Sequence, residues 1–169
     1  MPSTRRDFLR ICAVAGSVLI SPRGLRAQSP ASPNARLQLA LIGVGGRGMA
    51  ALTALHAEQI VAFCDVDHAS GRAQIGRSEK AGTIAARHRQ ARWFHDYRVM
   101  FEQMSDQIDA VVISVPDHMH YAIGMTALRY RKHLYVEKPL CRCINEVRAL
   151  RAAAKQAGVI TQMGNQGRA

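Results

Sequence analysis

The sequence predicts an α/β fold, a doubly wound parallel sheet with helices between its strands. The first observation is that, from Leu37 onward, short apolar runs alternate with longer helical patterns, as is typical of parallel strands joined by crossover helices. The second is a glycine-rich turn directly after the first apolar run, followed by a helical pattern and a second run that ends on an acidic residue. The length after Leu37 suits one domain.

Each apolar run is short and ends near turn or helix-start residues, so we predict six strands. They occupy residues 37–42, 60–64, 92–94, 110–114, 133–137 and 159–163. Helical patterns fill the intervals between them. Arginines are concentrated between Arg72 and Arg98. We interpret this interval as one helix with a solvated basic face, followed by the segment that leaves the helix.

The residues ahead of the sheet are predicted to be a leader, residues 1–27, and a flexible linker, residues 28–36, which is rich in Pro, Ser and Asn. Arg5 and Arg6 precede a mildly apolar run at 11–20, as in a secretory signal. That run is too short to span a hydrocarbon core of about 30 Å, so we expect no permanent membrane anchor.

The pattern from Thr4 to Arg10 resembles the twin-arginine export signal of bacteria. This resemblance implies that the protein engages the twin-arginine export machinery and leaves the cytoplasm already folded, for the periplasm or another exported location. An ordinary amphipathic tail with chance arginines is the alternative.

Composition limits the function classes. The chain has 23 basic and 12 acidic residues and a formal net charge of +11, but the few aromatics near the basic interval do not form a nucleic-acid surface, so we expect no nucleic-acid partner. The three cysteines after the leader, Cys64, Cys141 and Cys143, are an odd number and predict no disulfide framework. The one-residue gap between Cys141 and Cys143 does not have zinc-knuckle spacing, and no metal site is predicted.

The glycine-rich turn predicts dinucleotide binding. Gly43, Gly45 and Gly48 have the Gly-x-Gly-x-x-Gly spacing, in which the first glycine permits a tight turn, the second lets the backbone approach a pyrophosphate, and the third lets helix and strand pack closely. Gly46 and Arg47 lie between them, where the helix that opens near Arg47 would direct free N–H groups at the phosphates.

Asp65 closes the second strand about 20 residues after Gly43, which is where a ribose-binding acid is expected. A carboxylate there accepts hydrogen bonds from the ribose hydroxyls of NAD and repels the extra phosphate of NADP, so NAD is the predicted cofactor and NADP the alternative. Asp67 competes for this role, but we interpret it as the N-cap of a helix that begins near Ala69.

Two later loops follow the fourth and fifth strands, at the sheet edge where open α/β sheets bind ligands. They are residues 114–121, SVPDHMHY, and residues 136–140, VEKPL. The cluster Asp117, His118 and His120 could also bind a metal, which we consider the weaker interpretation.

These motifs together resemble the family of glucose–fructose oxidoreductase, inositol dehydrogenase and the rhizopine-catabolism proteins. The similarity covers residues 37–169 and includes the turn GVGGRG, the acid-ended VAFCDVD, a proline followed by a histidine at His120, and the triplet Glu137-Lys138-Pro139. It implies a Rossmann-type fold and hydride transfer between NAD and a sugar or polyol.

The resemblance also implies roles for individual residues. Lys138 matches the catalytic lysine beside the nicotinamide and the reacting hydroxyl, and His120 matches a position near nicotinamide and substrate. The resemblance implies that Ser114, Pro116 and Glu137 help to form the cofactor site, and that the Lys138–Pro139 bond is cis. Besides the oxidoreductase, two alternatives stay open: an NAD-dependent glycoside hydrolase and a non-catalytic nucleotide-binding module.

Members of this family continue after the sixth strand into a substrate domain, whereas this sequence stops in a glycine-rich and asparagine-rich turn. We therefore expect a truncated member whose substrate domain is absent, that binds a dinucleotide but does not oxidise sugar by itself. In full-length form it could be a homo-oligomer.

Overall fold

The computed structural model describes residues 36–165, which form a six-stranded parallel sheet with α-helices between successive strands. The predicted α/β class is confirmed. The strands are β1 (Gln38–Ile42), β2 (Gln59–Cys64), β3 (Arg92–Phe94), β4 (Ala110–Ile113), β5 (His133–Glu137) and β6 (Thr161–Gly164). The predicted leader and all of the linker except Arg36 lie outside the described residues, so the export signal stays a prediction.

The strand order is β3-β2-β1-β4-β5-β6. The chain therefore moves outward from β1 in one direction, returns to the middle at β4, and moves outward in the other direction. This reversal places a topological switch point between β1 and β4, and dinucleotides bind at the carboxyl ends of strands at such a point.

The helices are α1 (Arg47–Ala54), α2 (His68–Arg77), α3 (Glu79–Arg87), α4 (Tyr97–Met104), α5 (Asp117–Arg129) and α6 (Ile144–Ala157). A 3₁₀ turn, Ser105–Gln107, follows α4. None of the helices among residues 36–165 is long and apolar enough to cross a bilayer.

The basic interval contains two helices, α2 and α3, and the prediction of one helix there was wrong. Ser78 separates them because its backbone is extended, with φ −95° and ψ 110°. Its hydroxyl oxygen accepts a hydrogen bond of 3.3 Å from Ala81 N–H and so caps α3. The Asp67 prediction is confirmed, since its carboxylate accepts from Ser70 N–H at 3.0 Å and caps α2.

The third and fifth strands have the predicted bounds, and most other bounds differ by one residue. The sixth strand begins two residues later than predicted. Helix α6 ends at Gly158, whose φ of +67° reverses the chain. Val159 and Ile160 complete this reversal, and β6 begins at Thr161.

Apolar side chains fill a layer on each face of the sheet. One layer packs Leu52 of α1, Ile75 of α2 and Ile84 of α3 against β1 and β2. The other packs α4, α5 and α6 against the opposite face, with Phe101 and Met100 fully buried. The two layers hold the carboxyl ends of β1, β2, β4 and β5 at one edge, where every predicted site residue lies.

Candidate cofactor site

A cleft of about 490 Å³ lies at the switch point. Its lining includes Gly43, Gly45, Asp65, Ser114 and Pro116, all of which are predicted cofactor residues. The cleft therefore joins the glycine-rich turn, the end of β2 and the loop after β4 in one surface.

The glycine-rich turn, Gly43–Gly48, is packed so closely that two of its residues must lack a side chain. A Cβ atom on Gly48 would lie 1.9 Å from the Gly43 carbonyl oxygen, and one on Gly43 would lie 2.4 Å from the Ser114 carbonyl oxygen. Gly43 also has a φ of +82°, which glycine adopts readily. These contacts place α1 directly against the ends of β1 and β4.

The middle of the turn is open. A Cβ on Gly46 would meet no protein atom within 4 Å, and among residues 36–165 the Gly45 and Arg47 N–H groups donate to no protein acceptor. Both groups lie at the N-terminus of α1, where the helix dipole favours an anion. The turn thus offers the space and the donors that a pyrophosphate needs.

Asp65 is connected to the same turn. Its Oδ2 accepts from Val44 N–H at 2.9 Å, and its Oδ1 accepts from Asp67 N–H at 3.0 Å. A carboxylate has about four acceptor sites, so two remain for the hydroxyls of a ribose. The backbone hydrogen bonds hold the carboxylate at the cleft.

Ser114 supplies an independent test of the cofactor site. Its Oγ is buried, and no hydrogen-bond partner for it occurs in the described part of the chain. A buried hydroxyl without a partner costs about 1–3 kcal/mol. Because the residue lies against the glycine-rich turn and lines the cleft, a bound dinucleotide would supply the missing partner.

Arg47 and Glu137 connect the turn to β5. Arg47 Nε lies 3.4 Å from Glu137 Oε1, and the Glu137 side chain is buried whereas Arg47 is half exposed. Tyr135 Oη also lies 3.5 Å from the same oxygen. The contacts tie Glu137 to α1, and its predicted contact with the cofactor stays a prediction.

Lys138 follows at the end of β5 and is exposed. The peptide bond between Lys138 and Pro139 is cis, as the family resemblance implied. In the described part of the chain the ammonium group has no salt-bridge partner within 4.0 Å and forms no hydrogen bond to another residue. The catalytic role of Lys138 stays a prediction.

His120 connects the loop after β4 with the loop after β5. Its ring is 1% exposed; Nδ1 lies 2.7 Å from the Pro139 carbonyl oxygen and Nε2 lies 2.9 Å from the Val115 carbonyl oxygen. The ring therefore bridges the loop after β5 and the loop after β4. Its predicted role in catalysis stays a prediction. The contacts of its ring hold the two loops together.

The sequence did not single out several other side chains around the cleft. Val66, next to Asp65, is 89% exposed and lines the cleft, as does His95. His68 stacks on Trp93 with a centroid distance of 4.9 Å, and its Nδ1 lies 3.0 Å from His95 Nε2. An apolar residue directly after the ribose-binding acid is a sequence signal that could have identified Val66.

Arg72 completes this cluster. It lies over the Trp93 ring at 4.4 Å and its Nε donates to His68 Nε2 at 2.8 Å. The pKa of His68 is lowered by desolvation and by the nearby Arg72 and His95. Because a guanidinium N–H only donates, His68 Nε2 is the acceptor in its contact with Arg72.

The remaining reactive groups do not form another centre in the described range. Burial, with Asp65 and Asp96 nearby, raises the pKa of the Cys64 thiol to about 12, so this cysteine is held as a neutral thiol. Residues 36–165 contain no group of three or more His, Cys, Asp or Glu side chains that could hold a metal ion.

The family model of the oxidoreductase family with an NAD-binding Rossmann fold matches residues 37–165. The chain belongs to this family. The match covers the turn, the ribose-binding acid and both loops, and the residues present at the cleft fit a bound NAD. This is an NAD-binding Rossmann domain.

Two similar proteins match this chain over different lengths and carry the names of different activities. A glycosyl hydrolase family 109 protein of Solibacter usitatus is 32% identical over 154 residues, 85% of this chain and 34% of that protein. The scyllo-inositol 2-dehydrogenase (NADP(+)) of Bacillus subtilis is 35% identical over 83 residues, 49% of this chain and 25% of that protein.

Solved structures agree with the fold. An NAD-binding oxidoreductase from Klebsiella pneumoniae has a TM-score of 0.60 and 30% identity, over 77% of this chain and 34% of that chain. GenD2 from gentamicin A biosynthesis, in complex with NAD, has a TM-score of 0.60 and 26% identity, with the same coverage. The chain spans about a third of the length of these proteins.

Proposed function

We propose that this chain is the cofactor-binding part of an oxidoreductase that transfers hydride between NAD and a hydroxyl-bearing carbon of a sugar or polyol. The observation that carries the proposal is the position of Lys138. It directly precedes Pro139, which His120 connects to Val115, and Val115 lines the cofactor cleft. The Lys138 backbone is thereby connected, through Pro139 and His120, to the lining of the cleft, and this connection supports its assignment as the proton-transferring group.

Each part of the site has one task in this reaction. The N–H groups of the turn bind phosphate, Asp65 orients the adenosine ribose, and Ser114 binds a polar group of the cofactor. When bound, NAD supplies the hydride acceptor. Lys138 moves a proton at the substrate hydroxyl, because loss of hydride from the carbon requires loss of the hydroxyl proton.

A second candidate is an NAD-dependent glycoside hydrolase. It is favoured by the 32% identity to the glycosyl hydrolase family 109 protein over 85% of this chain. Such an enzyme would use the same cleft but return the hydride within each turnover, so that no NADH accumulates. A non-catalytic nucleotide-binding module is the third possibility, and it would bind NAD without either reaction.

Titration with NAD and NADP tests the cofactor site. We expect the 169-residue chain to bind NAD about 10- to 100-fold more tightly than NADP, because a hydrogen bond to a charged group is worth about 1.5–3 kcal/mol and the carboxylate of Asp65 repels a 2′-phosphate. Calorimetry measures both affinities. In Asp65→Ala the ratio should fall toward one; an unchanged ratio would contradict the role of Asp65.

Turnover separates the function candidates. The assay uses a polypeptide in which this chain is joined to a substrate domain, since the chain spans about a third of the length of its relatives and hydride transfer requires the reacting carbon to be held in position. Net NADH absorbance with a sugar panel supports the oxidoreductase. Release of nitrophenol from nitrophenyl glycosides with no net NADH supports the hydrolase. Neither signal, with NAD still bound, supports the binding module.

We also propose that the protein is exported by the twin-arginine route. The support is the arginine pair at Arg5 and Arg6, together with an NAD-binding cleft. NAD is scarce outside the cytoplasm, so an exported protein of this kind must fold around its cofactor before export.

A further inference from the structure

Helix α2 directs one polar side chain onto the glycine-rich turn. Gly71, on the buried face of α2, is so close to the turn that a Cβ there would lie 2.7 Å from Val44 Cγ2. Residues three apart on a helix share a face, so Gln74 faces the turn as well. Gln74 is half-buried and has no place in the sequence motifs of the site.

The chemistry of the contact fixes the orientation of the Gln74 amide. Gly46 N–H donates to Gln74 Oε1 at 3.1 Å, and because an N–H group can only donate, the amide oxygen is the atom that faces Gly46. The NH₂ group is then directed elsewhere. The amide nitrogen and oxygen of Gln74 both lie 3.3 Å from the position that a Cβ of Gly45 would occupy, and the nitrogen donates to no acceptor among residues 36–165.

The two N–H donors of the Gln74 amide therefore lie beside the open part of the turn. The Gly45 and Arg47 backbone N–H groups there also lack a protein acceptor in the described range. We propose that Gln74 is a further cofactor-binding residue, which donates from Nε2 to a pyrophosphate oxygen of the dinucleotide while its Oε1 holds the turn through Gly46. The proposal rests on the NAD site proposed above.

Two other roles are possible for the same contact and predict different results. If Gln74 only fastens the turn, any side chain with an acceptor oxygen should serve. If Gln74 occupies the phosphate position and must be displaced, its removal should tighten binding. A donor to pyrophosphate requires the NH₂ group itself.

Calorimetric titration of the 169-residue chain with NAD, ADP-ribose and adenosine distinguishes these roles. Gln74→Met removes both functions, and we expect NAD and ADP-ribose affinity to fall about tenfold or more. Gln74→Glu keeps the acceptor for Gly46 N–H but replaces the donors with a negative charge, so affinity should fall further. Adenosine, which lacks phosphate, should bind all three proteins equally.

Gln90→Glu is the matched control, because Gln90 is exposed at the opposite edge of the sheet and the charge change is the same. We expect it to bind NAD as the unaltered chain does. Gln74→Glu with unaltered NAD affinity would overturn the proposal, as would tighter binding by Gln74→Met or an equal loss of adenosine affinity. If the unaltered chain fails to bind NAD, the cofactor site itself is wrong.

Discussion

His120 illustrates how one side chain can organise a site by holding its backbone. Both ring nitrogens lie within 2.9 Å of a carbonyl oxygen, one in each of the two loops that follow β4 and β5. Carbonyl oxygens only accept hydrogen bonds, and an imidazole has one N–H when neutral and two when protonated, so the ring donates to at least one of the two loops and packs its other nitrogen against the second. We infer that His120 sets the distance between the cleft and Lys138.

Replacing His120 should therefore weaken the fold as well as the site. We expect His120→Ala to lower the free energy of unfolding by about 2–4 kcal/mol, because it removes a buried hydrogen bond and leaves a cavity. Urea denaturation measures this change. The control is His118→Ala, since His118 is exposed on the same helix and its loss should have little effect. Equal stability of the two variants would contradict the bracing role.

At the level of secondary structure, the junction of β1, the glycine-rich turn and α1 determines where phosphate can bind. Gly48 lies in the first turn of α1 and touches the Gly43 carbonyl, whereas Gly76, on α2, has open space where a Cβ would lie. Replacing glycine with alanine would therefore create a clash at position 48 and none at position 76.

Gly48→Ala should destabilise the protein by about 1–3 kcal/mol or more, because the added methyl group forces α1 away from β1. NAD affinity should fall as well. Gly76→Ala should instead stabilise it by about 0.5–1 kcal/mol, since alanine loses less conformational freedom than glycine in a helix. Thermal unfolding and NAD titration of both variants provide the comparison. Normal NAD binding by Gly48→Ala would show that the turn is not packed as described.

For the whole molecule, the proposed export signal leads to a prediction about where the domain works. Replacing Arg5 and Arg6 together with lysine preserves the charge but removes the arginine pair that the twin-arginine receptor is expected to recognise. We expect this double variant to remain in the cytoplasm at precursor size, whereas the unaltered chain appears in the periplasm. Cell fractionation and immunoblotting measure the location and size of the protein. Normal export of the variant would contradict the proposed twin-arginine route.

Much of the fold and part of the site could be predicted because they depend on local patterns. Short apolar runs and intervening helices predicted the sheet, and the spacing of Gly43, Gly45, Gly48 and Asp65 predicted the dinucleotide turn. Local capping explains the errors. Serine occurs both inside helices and at their N-caps. The residue type of Ser78 therefore did not predict the break between α2 and α3, which depends on its extended backbone conformation.

By itself the sequence determined the α/β class, the position of the glycine-rich turn and the residues at the ends of the strands, because each follows from spacing along the chain. Only the tertiary structure decided which side chains meet. His120 lies between carbonyl groups far apart in sequence, and Gln74 reaches Gly46 across 28 positions of the chain. Such contacts depend on how α2 and α5 pack on the sheet, and packing brings together residues whose separation in sequence carries no periodic signal.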